Sequence, residues 1–284
     1  MNLGQIGIWN SGLHDESPGA AGEIREAAVE LEELGYGAIW LGANPGVRHA
    51  AALVAATSRI VVATGILNIW QYDAAEVAAE QAALAAEYPD RFLLGLGASH
   101  AELIKDYRKP YSAMVEFLDR LDAAGSRPQD RVLAALGPRM LALSRDRAAG
   151  AHPYLITAEH TAKARQILGT APLLAPEIKV VLEEDPALAR AAARAHLALY
   201  LTLPNYTGNL LRLGFGEEDL ADGGSDRLVD ATFAWGGMAA IRERVAEHQK
   251  AGADHVVLQV VTGDDVSLPR AQWRELAAGL TPAS

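Results

Sequence analysis

Short apolar segments alternate with longer amphipathic ones along the whole chain, and this alternation constrains the fold more than any other feature. Eight of the apolar segments are predicted strands, and each is mostly apolar, as in parallel strands that are buried on both faces. They are Gln5–Trp9, Ala38–Leu41, Ile60–Leu67, Phe92–Ala98, Val132–Leu136, Pro153–Thr157, Ile178–Leu182 and His255–Val261. Strands and helices in this order form either a closed (β/α)8 barrel or an open, doubly wound sheet.

The closed barrel is the better interpretation, because the eight units continue without a linker or a second zone of composition. We therefore predict an α/β fold with a single (β/α)8 TIM-barrel domain over residues 1–284, close to the usual barrel length of about 250 residues. Leu203–Asp226 is rich in Gly and Asp and is predicted to hold a lid or short extra helices, followed by a helix over Leu228–Lys250.

Residues that favour the first or last positions of a helix mark the ends of the predicted helices. Ser17, which precedes a proline, is predicted to cap the first helix, and Gly35 is predicted to end it. Asp73, Thr157 and Asp185 are predicted to cap three later helices, because their side-chain oxygens can accept from free backbone N–H groups.

The charge and composition exclude several classes of function. Lys plus Arg is 25 and Asp plus Glu is 36, so the formal charge is 25 − 36 = −11, which argues against nucleic acid as a partner. There is no cysteine, and the eight histidines form no metal-ligand motif, so no metal is predicted. The chain shows neither a secretory signal nor a membrane span, and a soluble cytoplasmic protein is expected.

If the fold is a barrel, its chemistry belongs at the carboxyl ends of the strands. His100 follows the fourth strand and the glycines Gly95 and Gly97, and its imidazole titrates near neutral pH. A hydrogen-bonding role is predicted for Asn44 after the second strand and Asn68 after the third, although an amide cannot act as a general base.

Two helix starts beside the fifth and sixth strands are suited to an anion. Leu136-Gly137-Pro138 leads directly into a helix, where Arg139 adds positive charge, and Thr157 begins the next helix. Backbone N–H groups at a helix N-terminus bind phosphate, so this region is a predicted phosphate site.

Several segments together resemble the bacterial luciferase-like family, and more narrowly its oxidoreductases that depend on the deazaflavin coenzyme F420. The resemblance is carried by Ala38-Ile39-Trp40-Leu41, by Val62-Ala63-Thr64-Gly65-Ile66-Leu67, by Glu87-Tyr88-Pro89-Asp90-Arg91-Phe92-Leu93-Leu94-Gly95-Leu96-Gly97, by Tyr107-Arg108-Lys109-Pro110-Tyr111 and by Ala134-Ala135-Leu136-Gly137-Pro138-Arg139-Met140-Leu141.

The resemblance implies a cofactor at the strand ends and a cis peptide between Gly65 and Ile66, behind the tricyclic ring. It implies cofactor contacts for Thr64, Gly65, Ile66, Asn68, Gly97, Ala98, Ser99, Leu136, Gly137, Pro138 and Thr157. It also implies a homodimer. The small-residue helix over Ala74–Ala86 would pack closely against either a second copy or the barrel wall.

The sequence departs from the family's sugar-phosphate dehydrogenases at two positions. Where those enzymes have an Asp-His pair after the second strand, this chain has Ala43-Asn44, and His100 replaces a Glu after the fourth strand. His100 and Asn44 are therefore the predicted catalytic residues. The leading hypothesis is hydride transfer between coenzyme F420 and a small organic substrate. An FMN-dependent monooxygenase and an inactive cofactor-binding relative are the alternatives.

Overall fold

A computed structural model describes residues 1–101, 104–105, 107–264 and 267–281. Within them the eleven strands are β1 Ile6–Asn10, β2 Ala38–Leu41, β3 Val61–Thr64, β4 Leu67–Asn68, β5 Phe92–Gly97, β6 Arg131–Leu133, β7 Gly150–Ala151, β8 Leu173–Leu174, β9 Glu177–Val181, β10 Phe233–Trp235 and β11 Val256–Val260. The twelve α-helices are α1 Ala20–Glu33, α2 Val47–Ala56, α3 Ala74–Glu87, α4 Pro110–Ala123, α5 Pro138–Arg147, α6 Ala158–Leu168, α7 Pro186–Tyr200, α8 Pro204–Arg212, α9 Glu217–Leu220, α10 Asp226–Thr232, α11 Met238–Lys250 and α12 Arg270–Leu280.

All strand pairs in the described residues are parallel, and the sheet closes on itself. The closure depends on residues 173–181, which contain β8 and β9 in sequence. On one side this segment bonds to β7, with the Ala175 nitrogen donating to the Ala151 oxygen at 2.9 Å. On its other side β9 pairs with β11, which in turn pairs with β1. The predicted (β/α)8 barrel is therefore confirmed.

The barrel interior is filled mainly by two tryptophans and small apolar side chains. Trp40 is fully buried and stacks on His152, with ring centroids 4.2 Å apart. Trp9 pairs with Trp40 across β1 and β2, and its ring approaches that of Tyr154 at 5.7 Å. The centre is thus a packed core rather than a pore. Ligands have access at the end of the barrel formed by the carboxyl ends of the strands, which we call the mouth.

One predicted strand is wrong in its position, and another predicted strand and one predicted helix are each divided in two. The sixth strand lies at β7, before Pro153, because proline has no N–H for the ladder and the chain turns at Leu155 with φ of 52°. The predicted helix over Leu228–Lys250 is divided by β10, where Gly236 at φ of 114° reverses the chain. The third predicted strand is divided into β3 and β4.

Most of the predicted helix ends are confirmed. Asp73, Thr157 and Asp185 each accept backbone hydrogen bonds at the starts of α3, α6 and α7. Gly35 follows α1 with a left-handed φ of 85°. The Ser17 prediction is wrong, because α1 begins at Ala20 and Gly19 occupies the cap position. The irregular segment after β9 does contain short helices, α8 and α9.

Candidate functional site

The third strand carries the backbone feature that the resemblance implied. The peptide between Gly65 and Ile66 is cis, and the Trp9 indole nitrogen donates to the Gly65 oxygen at 2.8 Å. Gly97 lies against the Ile66 side chain, since a Cβ at Gly97 would come within 2.5 Å of the Ile66 Cδ1 atom. Gly65, Ile66 and Gly97 therefore form one surface, and the absence of a side chain at Gly97 creates the space for Ile66.

The two predicted amides hold the loops after β2 and β4 together. The Asn44 Oδ1 atom accepts from the Asn68 nitrogen at 2.8 Å, and its Nδ2 atom donates to the Gln71 side chain. The Asn68 Oδ1 atom accepts from the Trp70 nitrogen at 3.2 Å. The side chains of Asn44 and Asn68 thus shape the mouth. Both are neutral, and both act there through hydrogen bonds.

Thr64 is also used internally. Its hydroxyl donates to the Gly95 oxygen and accepts from the Gly95 nitrogen, both at 2.8 Å. The side chain is fully buried between β3 and β5. The Thr64 hydroxyl therefore joins β3 to β5.

The loop after β5 is held in place by aromatic side chains. The Trp70 indole nitrogen donates to the Ala98 oxygen, and the Tyr107 hydroxyl donates to the Ser99 oxygen at 3.4 Å. Ser99 has a left-handed φ of 51°, which turns the chain toward His100. Ala98, Ser99 and His100 thus lie at the carboxyl end of β5, where the sequence placed them.

The environment of His100 determines which of its nitrogens carries the proton. The Nδ1 atom lies 2.8 Å from the Oδ1 atom of Asn205, at the start of α8. Because an amide oxygen can only accept, Nδ1 donates, and neutral His100 then has its lone pair on Nε2. The ring also approaches that of Tyr206, with centroids 5.3 Å apart. α8 therefore closes one side of the mouth against His100.

The predicted phosphate site is formed by two adjacent helix starts. α5 begins at Pro138 with Gly137 as its cap, and α6 packs against it. The Thr157 Oγ1 atom accepts from the His160 nitrogen at 3.2 Å, and the His160 Nε2 atom donates to the Leu136 oxygen at 2.9 Å. Burial lowers the pKa of His160, so this imidazole is neutral. It joins the start of α6 to the loop before α5.

These groups fit a phosphate. A Cβ at Gly137 would have nothing within 4 Å, so the backbone there is open to a ligand. The Thr157 hydroxyl accepts one bond through its oxygen and retains its own proton to donate. Together with the N–H groups of both helix starts, this is the donor set that anions bind.

Cationic side chains lie next to this site, although the chain as a whole is acidic. The Arg139 guanidinium lies 4.3 Å from the centroid of the Tyr111 ring, and the Arg108 guanidinium lies 5.7 Å from that of Trp70. Arg108 also pairs with Glu116 at 3.2 Å. The aromatic rings thus place two cations beside the loop after β5 and the start of α5.

The sequence-based prediction missed a buried polar cluster on β9. The side chains of Lys179 and Glu177 are fully buried, and the Lys179 Nζ atom lies 3.0 Å from Glu177 Oε1. Lys179 also donates to Gln259, at 3.1 Å, and lies 3.7 Å from the centroid of the Tyr154 ring. A lysine inside an otherwise apolar predicted strand was the signal that could have revealed the cluster, because buried lysines require partners.

Two grooves elsewhere on the protein do not compete with this site. One, of about 580 Å³, lies where Glu30 of α1 bridges Arg270 and Arg274 of α12. The other, of about 430 Å³, lies between α11 and Trp235, and its lining includes the carboxylates of Glu184, Asp230, Glu243 and Glu247. Neither is lined by the residues around the cis peptide or by the helix starts of the predicted phosphate site, so we place the candidate site at those strand ends.

The comparisons with known proteins agree with this architecture. The family model for luciferase-like monooxygenases matches residues 1–255. The chain therefore belongs to the luciferase-like monooxygenase family. No helix among the residues described here has the length and apolar character to cross a membrane.

Several solved structures have the same fold. An F420-dependent secondary alcohol dehydrogenase, in complex with an F420-acetone adduct, has a TM-score of 0.74 at 14% identity, covering 97% of this chain and 98% of that one. The coenzyme F420-dependent tetrahydromethanopterin reductase from Methanopyrus kandleri has a TM-score of 0.70 at 15% identity, covering 98% and 97%. The oxygenating constituent of 3,6-diketocamphane monooxygenase from Pseudomonas putida, in complex with FMN, has a TM-score of 0.70 at 14% identity, covering 98% and 97%. No curated protein matches the chain.

Proposed function

We propose that this protein is an oxidoreductase that transfers a hydride between coenzyme F420 and a small organic substrate. One observation carries the choice of cofactor: in an acidic protein, Arg139 lies on an aromatic ring at the start of α5, and Arg108 lies on another near the loop after β5. FMN ends in its phosphate, whereas coenzyme F420 continues beyond it into a tail that carries carboxylates. Two cations beyond the phosphate site are suited to the longer, more anionic tail.

Different residues around the mouth would hold different parts of the cofactor. The helix starts at Gly137, Pro138 and Thr157 would bind the phosphate, and Ala98 and Ser99 would border the tail. Gly65 and Ile66, supported by the open position at Gly97, would lie behind the ring. When bound, the deazaflavin supplies the ring carbon that gives or takes the hydride, and the protein supplies position and electrostatics.

His100 is the group we propose for proton transfer. An imidazole can exchange a proton with a substrate hydroxyl, and the 2.8 Å contact of Nδ1 with Asn205 orients the ring. Asn44, the other predicted catalytic residue, cannot take a proton, so His100 is the titratable group of the two. We expect His100→Ala to lower kcat by about 10²-fold or more, while the Kd of the cofactor changes little.

The alternative cofactor is FMN, which the fold also accommodates. The phosphate site alone would serve an FMN-dependent monooxygenase, and the similarity to an FMN-bound structure supports that alternative. A protein that binds either cofactor without reducing any substrate would be the inactive relative. The three functions are separated by titrating the apoprotein with each cofactor and then assaying hydride transfer and oxygen consumption.

A matched pair of arginine variants on α5 tests the role of the cationic side chains. Arg139→Gln should weaken the binding of coenzyme F420 about tenfold and the binding of FMN less, because FMN offers this guanidinium only a phosphate whereas the longer tail adds carboxylates. Arg145→Gln is the control, since Arg145 lies on the same helix but pairs with Asp146 near its far end. Tight binding of FMN with no binding of coenzyme F420 would overturn the proposal.

The homodimer stays a prediction, as does the cytoplasmic location. α3 packs on the barrel through Val77 and Leu84, and its outer side is rich in exposed alanines, among them Ala79 and Ala83. We propose that a second copy covers this side. Analytical ultracentrifugation of wild type and Ala79→Arg would then show a dimer and a monomer, respectively; two identical profiles would contradict the choice of surface.

A further inference from the structure

The helix α7 presents an uncharged face to the solvent. Both of its arginines turn toward α10, where Arg190 pairs with Asp230 and Arg194 pairs with Asp226. The residues of α7 that are exposed all have apolar side chains, and a continuous apolar face of this kind on a surface helix is typical of a contact with a partner. These residues are Pro186, Ala187, Leu188, Ala191, Ala195, Ala198 and Leu199.

Two leucines contribute most of the apolar surface on this face. Leu188 is 60% exposed and Leu199 is 57% exposed, and no other large apolar residue in the described part of the chain is as exposed. Covering both side chains would remove their apolar surface from water, which favours association. A partner that fits α7 must therefore cover both ends of the helix, not only its middle.

The side chains along this face have the same order in both directions. Leu188, Ala192, Ala195 and Leu199 follow one another at intervals of four, three and four residues. If two α7 helices pack antiparallel about a twofold axis, each leucine therefore meets the other leucine of the second copy, and the small alanines meet at the centre. A twofold contact requires a surface that is complementary to itself, so this order selects a second copy of the chain as the occupant.

The charges beside α7 favour the antiparallel orientation. Glu183, Glu184 and Asp185 directly precede the helix. In a parallel pair these carboxylates of the two copies would lie side by side. In an antiparallel pair about 25 Å separates them along the axis, well beyond the screening length of about 8 Å at physiological salt. The same carboxylates, on a chain with a formal charge of −11, disfavour an anionic membrane as the occupant.

We propose that α7 binds α7 of a second copy of this chain as an antiparallel pair, in a contact separate from the one on α3. The helix has 15 residues. It is about 22 Å long and about 10 Å wide, so the covered face is well below the roughly 800 Å² that each partner contributes to a standard interface. The contact is therefore weak, and it forms at higher protein concentrations than a larger interface would.

Cross-linking tests the contact directly, because the chain has no cysteine of its own. Leu188→Cys and Leu199→Cys are treated with a short bismaleimide, each alone and then as a mixture. The mixture should give a cross-linked dimer. Either variant alone should give at least tenfold less, because identical positions are about 16 Å apart along the axis of the antiparallel pair. A mixture of Ala239→Cys and Ala246→Cys, at two exposed positions on α11, controls for random collision and should give no more product than its components.

Two double variants test the orientation of the helices. Leu188→Glu with Leu199→Lys places opposite charges next to each other in the antiparallel pair and should self-associate at least as well as the parent protein. Leu188→Glu with Leu199→Glu places like charges there and should weaken self-association at least tenfold. Both are compared by sedimentation equilibrium over a range of concentrations, with Ala79→Arg present to remove the contact proposed on α3. All substituted positions are exposed, so the buried side of α7 is unchanged.

Three results would overturn the inference. Equal cross-linking of Leu188→Cys alone and of the mixture would exclude the antiparallel pair. No cross-linking above the α11 control would show that a second copy does not cover α7. Binding of the wild type to phosphatidylcholine vesicles, lost in Leu188→Glu, would assign the face to a membrane surface instead.

Discussion

Among the histidines that burial holds in the neutral form, three have a pKa low enough to make this protein sensitive to mild acid. Burial lowers the pKa of His152 and of His255 to about 4, and that of His248 to about 3. In the unfolded chain an imidazole titrates near 6.5. Between about pH 4 and 6.5 the unfolded state therefore binds more protons than the folded state, and the free energy of unfolding falls as the pH falls.

The size of the effect follows from the number of protons. A histidine that is protonated only in the unfolded state contributes about 1.4 kcal/mol per pH unit, so three contribute about 4 kcal/mol per pH unit near pH 5. Carboxylates whose pKa is lowered in the folded state, such as Asp122 and Asp230, change stability in the same direction but below about pH 4. The window from pH 5 to 6 therefore isolates the histidines.

Urea unfolding, measured at half-unit steps from pH 5 to 6.5, gives the slope of the free energy of unfolding against pH. His248 donates to or accepts from Thr161 at 2.9 Å and is buried between α6 and α11. His248→Gln should reduce the slope by about 1.4 kcal/mol per pH unit, whereas Gln249→Ala on the same helix should leave it unchanged. A wild-type slope below about 1.4 kcal/mol per pH unit, or an identical slope in His248→Gln, would refute the reasoning.

Further predictions concern the mouth. Gly95→Ala should destabilise the fold by about 3 kcal/mol in urea unfolding, because its Cβ would lie 1.9 Å from the Thr64 oxygen and would separate β3 from β5. Gly97→Ala should weaken cofactor binding while changing the Tm little, because its Cβ would displace mainly the end of the half-buried Ile66 side chain; an unchanged Kd would remove Ile66 from the cofactor surface. Thr157→Ala should cost about 1 kcal/mol as a lost helix cap and should weaken phosphate and cofactor binding together.

The fold was predictable to the extent that it is encoded locally. Buried parallel strands require continuous apolar runs, and capping residues such as Asp73 act within one turn of themselves. β7 and β10 were missed because each has only two or three residues, too few for a hydrophobic period to be visible. Their positions depend on pairing with other segments of the chain, β7 with β6 and β8 and β10 with β9.

The site was predictable where backbone geometry defines it and not where side chains meet across the barrel. Gly97 and Thr157 could be read from the strand and helix that contain them. The bond between His100 and Asn205 could not, because it joins positions 105 residues apart through the fold of α8. The bond between Lys179 and Gln259 could not be predicted either, because Gln259 lies on another strand.

β9 is shared between two partners along its length. Its upper half pairs with β10, and the chain between them leaves the barrel at Val181 and returns at Phe233, which pairs with Lys179, two residues before the exit. A hydrogen bond of 3.1 Å from the Gly236 nitrogen to the Val181 oxygen then joins the carboxyl ends of β9 and β10. The whole excursion, with Asn205 on it, thus begins and ends on two neighbouring strands. An excursion of another length could connect the same two strands without changing the barrel register, so the wall that α8 forms beside His100 is free to vary independently of the helix starts at Gly137 and Thr157.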